Sequence, residues 1–488
     1  MQWLELDQRA LERRLGLIGA RGEELERHGA AVPENVVDLG HTYTSHMSRP
    51  TKERTRHLGT LTVRLRPLRH HTPRRHRIIG HGYFSRLGPG IVTGAADDDP
   101  SGIATYSQVG AAFGFGLLWS TVLVAPMAAA VQENAARLGL ATGKGLATLI
   151  REHFPRPVLY GALALTIAAN TFNIAADVGS MAASTHLVID VPTALLVVAF
   201  TVGMVALAVI LPYHRYARVL RWLALSLLAY PLVLLTIDVD WSAVLDSLLN
   251  PRLVGGAEGL AALIAVFGTT VSPYLFFWQA SEEVEEEIEH HDVGHQLTED
   301  HVRAMRVDVV GGMTSAVTIA FIIIVVAAST LHPAGVTTVA TAEQAADALR
   351  PLAGDLSGLI FALGIVGLGL LAVPVLAGST AYAFSEAFGW HEGLSKTFRE
   401  ARGFYGVLAG SMLAGLLIDV FAINSIRALY YAAILNGLAA PPLIVLMLLL
   451  GRDARVVGEH RSGRLSLMIV GFTIVASVAA PIAYLLIA

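Results

Sequence analysis

The sequence predicts an all-α, polytopic membrane protein, and three observations carry that reading. Only 15% of the 488 residues are charged and 54% are hydrophobic, against roughly 25% charged in an average soluble domain. From residue 88 onward the apolar residues gather into eleven segments near the ~20-residue length that crosses a bilayer. The loops between them divide by charge, with most of the Arg and Lys on one side, as the positive-inside rule requires. The chain has no cysteine, which removes disulfides, thiolate metal sites and dithiol redox chemistry.

Residues 1–80 precede the spans and are polar. They lack the charged start, short apolar run and cleavage site of a signal peptide. Residues 6–29 fit a short amphipathic helix, and the stretch from Arg49 to Arg77 is strongly basic. Such an arm can lie on anionic lipid at the cytoplasmic face. A disordered tail explains the composition equally simply and is the preferred reading. The expected plan is a cytoplasmic segment, 1–80, and a transmembrane domain, 81–488.

The eleven segments run at about 88–114, 117–138, 158–186, 193–212, 219–238, 257–281, 308–331, 356–385, 404–420, 426–450 and 465–487. With the N-terminus placed in the cytoplasm, the inside loops carry Lys144, Arg151, Arg156, Arg215, Arg218, Arg221, Lys396, Arg399, Arg402, Arg452, Arg455, Arg461 and Arg464. The outside loops carry only Arg252 and Arg350. An odd number of spans puts the C-terminus outside, in a multi-pass protein of a prokaryotic plasma membrane. The inside loop 282–307 is acidic, with Glu282, Glu283, Glu285, Glu286, Glu287 and Glu289. It reads as a solvated helix extension in preference to a cation-gathering mouth. Acidic residues weigh little in the topology rule.

Two spans carry helix breakers at matching places. The first reads GAADDDPSG, placing Asp97, Asp98 and Asp99 before Pro100. Charge at bilayer depth costs roughly 2.5–3.5 kcal/mol per residue and is rarely kept without a use. The sixth reads FGTTVSPYLF, with Pro273 after Thr269, Thr270 and Ser272 and before Tyr274. Proline and glycine there free backbone carbonyls. Two prolines in register, five spans apart, fit a five-plus-five inverted repeat with an eleventh span added. Broken helices at matching positions of two halves point to a midplane site in a secondary transporter. Carboxylate, carbonyl and hydroxyl oxygens suit Mg²⁺, Ca²⁺ or Mn²⁺, and neither break holds a Met, Cys or His.

At these residues the chain resembles the Nramp family of divalent-metal transporters, which have the LeuT-like fold. The resemblance runs from about Gly88 to the end. The family's first-helix motif DPGN stands here as Asp99-Pro100-Ser101-Gly102, and its sixth-helix MPH as Ser272-Pro273-Tyr274. QENAARLGLATGKGLATLIRE, 132–152, is the most family-like stretch. The resemblance implies a cation ligand at Asp99, a proton-route acid at Asp177 and a site-facing polar residue at Asn436. It also exposes departures. The family's metal-binding Asn is Gly102, its thioether ligand is Ser272, its proton-linked His is Tyr274, and a second acid is Ser180. Retaining the Asp while losing the Met is similar to the Nramp-related magnesium transporter branch.

The candidate metal-site residues are therefore Asp99, Asp98, Asp97, Thr269, Thr270, Ser272 and Tyr274, with Asp177 and Asn436 on the pathway. Asp99 reads as a direct or water-mediated ligand, or as an N-cap of the second half-helix. Asp97 and Asp98 cannot both point the same way as Asp99; one lines the path and another caps a helix end. Asn170 and Asn173 share a helix face with Asp177 and read as helix–helix links. Glu133 and Asn134 read as seam contacts, and Glu386 as interfacial. The function expected is import of a divalent cation, Mg²⁺ before Mn²⁺, by alternating access. The alternative is a symporter of a small organic solute such as an amino acid or amine. Nothing indicates an enzyme, a resident cofactor or a nucleic-acid partner. The partners implied are the cation and the lipid bilayer, with a monomer sufficient.

Overall fold

The computed structural model describes residues 89–210, 227–289, 298–420 and 424–487. The amphipathic and basic stretches of 1–80, Arg215, Arg218 and Arg221, and the His290-His291 end of the acidic run lie outside the described residues.

The first span is two helices, α1 (Pro89–Asp97) and α2 (Pro100–Phe113). Next come α3 (Trp119–Thr142), a short α4 (Leu146–His153), α5 (Arg156–His186) and α6 (Thr193–Ile210). Of the fifth span, α7 (Ala229–Val233) is described, and α8 (Trp241–Leu249) lies in the loop after it. The sixth span is again two helices, α9 (Gly256–Thr270) and α10 (Pro273–Glu289). Beyond it run α11 (Glu299–Thr330), two loop helices α12 (Ala342–Asp347) and α13 (Arg350–Ala353), then α14 (Ser357–Phe388) and α15 (Arg402–Val420). The chain closes with α16 (Ser425–Arg452), the single-turn α17 (Ala454–Val457) and α18 (Arg464–Ile487).

Among the described residues, seven helical stretches are long and apolar enough to cross a membrane. The other expected spans fall short for separate reasons. The first is cut in two around three aspartates, and the ninth, α15, is a shorter apolar helix. The fifth runs largely through undescribed residues. The second, α3, is long but carries Gln132, Glu133, Asn134 and Arg137, all buried. Glu133 is neutralised in place by Arg137 on its own helix and by Arg306 on α11 at 3.3 Å. Its other oxygen accepts from Ser466 Oγ on α18 at 2.8 Å. Burial of charge is tolerable when it is paired in this way, so Glu133 is the seam contact expected.

Packing exchanges elements between the two halves. The broken pair α1 and α2 lies along α11, the span after the second break. Of the second broken pair, α10 lies along α3, the span after the first break, while α9 packs chiefly on α16. Helices α5 and α14, third in each half, pack on one another. The outward faces are apolar: on α18, Phe472, Val475 and Leu485 are 51%, 65% and 77% exposed. Surface of that composition is what a bilayer covers.

The loops separate into two ends. Trp119 Nε1 donates to Arg252 O, Ser247 Oγ to Phe115 O, and Gln108 Nε2 to Thr337 O, so the Arg-poor loops share one end. At the other end Arg137 Nη1 donates to His460 O and Arg151 Nη1 to Glu386 O. There Glu386 is buried and structural. Its Oε2 accepts from Thr148 N at 3.0 Å and its Oε1 from Ser281 Oγ at 2.7 Å. It thus caps α4, whose own N-cap, Gly145, has no side chain to do so. A Cβ on Gly145 would stand 1.8 Å from the Glu386 carboxylate, so a larger residue there displaces the cap. The acidic run is likewise not a solvated face. Glu282, Glu283 and Glu285 are buried. Glu285 accepts from Tyr382 OH at 2.5 Å, Leu394 N at 2.9 Å and Ser395 N at 3.1 Å. These bonds pin the loop after α14 to the end of α10.

Glu392, in that loop, is pushed up to about 9 by burial first and then by the Glu386 carboxylate. The folded protein therefore keeps a proton that the unfolded chain loses near 4.5. Stability from this group is complete below the unfolded value and is lost as pH rises toward about 9. Glu392→Gln is expected to raise the melting temperature in detergent at about pH 8 more than at about pH 5. A difference that does not change with pH contradicts this assignment.

Candidate functional site

Both breaks are shorter than the sequence suggests. Only Asp98 and Asp99 separate α1 from α2, and only Val271 and Ser272 separate α9 from α10. Ser101 and Gly102 already belong to the first turn of α2, and Thr269 and Thr270 still belong to α9. Proline explains the economy. Pro100 and Pro273 each open the second half-helix, where a missing N–H costs nothing.

Asp99 takes both roles open to it at once. Its backbone is extended, and its Oδ1 caps α2 by accepting from Gly102 N at 2.9 Å. Ser101 Oγ donates to the same oxygen at 2.5 Å. Oδ2 accepts from Asn173 Nδ2 on α5 at 2.9 Å. That amide also faces Asp177 Oδ2 at 3.5 Å. Asn173 therefore bridges two carboxylates from different spans, a contact the sequence reading assigned to a helix–helix link. The signal available was its place one turn before Asp177. Asn170 does make the expected link, donating to Leu376 O and Thr380 Oγ1 on α14.

The hydroxyls of the second break have defined directions. Ser101 gives its proton to Asp99, so Thr269 Oγ1, 3.2 Å away, donates to Ser101 Oγ. Thr270 Oγ1 donates to Val266 O at 2.7 Å, so Tyr106 OH donates to Thr270 at 2.9 Å. Ser272 Oγ donates back into α9, with Gly268 O at 2.8 Å and Thr269 O at 3.0 Å. Tyr274 OH donates to Ala96 O at 2.8 Å, closing α10 onto the end of α1. Tyr106 had not been singled out in the sequence; its place seven residues after Asp99 on a buried helix was the only hint.

Other atoms at this level have no partner. Asp97 Oδ1, Asp177 Oδ1, Asn173 Oδ1 and both amide atoms of Asn436 are buried without a hydrogen bond. Asp97, Asp98, Asp99 and Asp177 all lie within electrostatic reach of the Tyr274 ring. Among the described residues no ion pair neutralises any of the four. A buried carboxylate without a counter-charge is held by a proton or by a cation. Among the described residues no three Asp, Glu or His side chains converge as a metal cage. A cation here must draw on carbonyl, hydroxyl and water oxygens beside one or two carboxylates. Gly102 lets these groups approach closely: a Cβ there would meet the Tyr106 ring at 3.3 Å and Asp97 O and Thr269 Oγ1 at 3.5 Å each.

Asn436 reaches this level because α16 touches α9 at the break. A Cβ on Gly268 would stand 2.0 Å from Ala433 O and 2.2 Å from Gly437 N.

Buried carboxylates at the first of two helix breaks, inside a bundle of two exchanged halves, are the plan of a multi-pass membrane transporter. Residues 90–488 match the family described as natural resistance-associated macrophage protein-like, Nramp. The chain belongs to the Nramp family. It is 29% identical over 401 residues to the divalent metal cation transporter MntH of Klebsiella pneumoniae (strain 342), covering 80% of this chain and 91% of that protein. Among solved structures it is similar to the manganese transporter of Eremococcus coleocola, with TM-score 0.64 and 17% identity over 84% of this chain and 94% of that one. MhsT in complex with L-phenylalanine is also similar, with TM-score 0.53 and 16% identity over 82% of this chain and 98% of that one. These likenesses make the fold LeuT-like.

Gly268→Ala forces backbone apart at the break and is expected to cost about 1–3 kcal/mol, read as a lower melting temperature in detergent. Gly311→Ala on α11 meets nothing within 4 Å and is expected to be neutral or to stabilise by up to about 1 kcal/mol. Equal melting of the two variants contradicts the close α9–α16 contact.

Proposed function

We propose that this protein imports a hard divalent cation, Mg²⁺ before Mn²⁺, by alternating access at the two breaks. The observation that carries this is the set of buried, unpaired carboxylates around Asp99 in a chain of the Nramp family. Asp99 is the central ligand, direct or through water, with Asp97, Asp98, Thr269, Thr270, Ser272 and Tyr274 supplying the remaining oxygens. Asp177 and Asn436 line the route beside them. The divalent metal and manganese named for the relatives support a divalent cargo.

The preference for Mg²⁺ rests on chemistry. Ser272 and Tyr274 offer hard oxygens where the family pattern has a thioether and an imidazole. Soft ligands select transition metals, and carboxylate, carbonyl and water suit Mg²⁺. Mg²⁺ keeps several waters in most sites, so a site with few protein ligands suits it. Import also needs no proton partner, because a divalent ion gains about 4.6 kcal/mol per 100 mV of inside-negative potential. The reading places the N-terminus and the Arg-rich loops in the cytoplasm and the C-terminus outside. Family membership disfavours the organic-solute alternative, since MhsT shares only the fold.

Flux into proteoliposomes tests the reading with Mg²⁺, Mn²⁺ and an amino acid. Mg²⁺ flux is expected, with Asp99→Ala lowering it about 10- to 100-fold, the worth of one charged contact. Amino-acid flux without divalent flux, or Mg²⁺ flux indifferent to the substitution, overturns it. Gly102→Asn adds an amide oxygen beside Asp97 O and Thr269 Oγ1, with the Tyr106 ring giving way, and is expected to raise Mn²⁺ flux relative to Mg²⁺. An unchanged ratio removes position 102 from the site's selectivity.

A further inference from the structure

A second constellation stands at the Arg-rich end, in the loop joining α14 to α15, far along the chain from either break. Trp390, His391, Arg399, Glu400, Arg402 and Gly403 line an open cleft of about 410 Å³. Arg399 and Arg402 are exposed, and among the described residues neither is in an ion pair. Glu400 is the one acid in the wall, and its carboxylate is already engaged. Its Oε2 accepts from Thr397 N at 2.8 Å and Thr397 Oγ1 at 2.7 Å. Two guanidinium groups are thus left facing an open volume with nothing to bind. Arg151 adds a third positive charge nearby, its Nη1 lying beside Gly389.

One wall of the cleft is aromatic. Trp390, which lines it, and Phe388, which packs on Trp390, are 45% and 47% exposed. Phe384, Phe388 and Trp390 stack with centroids 4.6–5.8 Å apart, and Trp390 packs against Gly403. Exposed aromatic rings at the end of a span mark the level of the lipid headgroups. Guanidinium forks fit phosphate oxygens in pairs. A basic pocket at the cytoplasmic ends of membrane helices has the chemistry to hold an anionic headgroup.

We propose that this cleft binds the phosphodiester headgroup of an anionic phospholipid, held by Arg399 and Arg402 with the aromatic wall seated at the bilayer interface. The exposed rings favour a lipid over free phosphate, because a soluble anion makes no use of them. The loop concerned is also the one that Glu285 ties to the end of α10 through Leu394 N and Ser395 N. A bound headgroup therefore holds down the segment that covers α10.

Native mass spectrometry of the full-length protein in detergent tests this with phosphatidylglycerol and phosphatidylcholine. The wild type is expected to retain phosphatidylglycerol in preference. The double variant Arg399→Gln/Arg402→Gln is expected to lose about 25-fold of that retention, about fivefold for each basic side chain at a membrane surface, with phosphatidylcholine unaffected. Both arginines are exposed, and an unchanged melting temperature without lipid verifies folding. Arg455→Gln/Arg461→Gln removes equal charge from exposed positions at the same end and is expected to change retention little. An equal loss in that control reduces the effect to diffuse charge and overturns the proposal. So does an absence of preference for phosphatidylglycerol. Displacement of the lipid by millimolar inorganic phosphate assigns the cleft to a free anion and also overturns it. None of these readouts depends on transport, so failure here leaves the proposed cargo untouched.

Discussion

A helix interrupted inside a bilayer leaves polar groups that water cannot reach, and the whole site is organised around satisfying them. Asp99 is the residue on which this rests. One carboxylate oxygen caps α2 through Gly102 N and takes the Ser101 proton. The other reaches Asn173 on α5. Removing either half of that arrangement leaves an uncapped helix start or an unpartnered amide at the centre of the molecule. The second break is resolved by different means, with Ser272 returning its hydroxyl to α9 and Tyr274 bonding to the end of α1. The two interruptions are therefore joined by hydrogen bonds, from Tyr274 to Ala96 and between Thr269 and Ser101.

The electrostatic consequence follows from the hydrogen-bond directions. The protons of Ser101, Thr269, Thr270 and Tyr106 all point at protein acceptors. What remains free around the break is chiefly lone pairs, with the unpaired oxygens of Asp97 and Asp177 among them and the Asn436 amide as an unpaired donor beside them. That environment attracts positive charge and repels anions. Soft ligands are missing from it, which separates this chain from the family pattern it otherwise follows over residues 90–488.

Much of this was legible in the sequence. Spans such as α5, α11 and α16 announced themselves by length and apolar content, because lipid demands both. The paired breaks were readable because proline cannot continue a helix. The sequence was less informative where a side chain's partner comes from another helix. Asn173 lies at helical spacing from Asp177, and nothing local says that it turns toward Asp99. The acidic run from Glu282 reads as solvated surface, since the groups that bury it, Tyr382 and Leu394, lie about a hundred residues on. The extent of each break was overestimated for a related reason: Asp99 restores helix within one residue of the interruption, and capping geometry depends on a side-chain torsion that composition does not specify.

The cap on α4 bears on how the chain is assembled. Eight residues are too few to hold a helix alone, and the carboxylate that completes this one lies 238 residues later in the chain. At about 5–20 residues per second of synthesis, tens of seconds separate the emergence of Thr148 from that of Glu386. Throughout that interval α4 lacks the carboxylate that caps it in the finished fold. The order of synthesis thus leaves this joint between the halves to be closed after the second half is made.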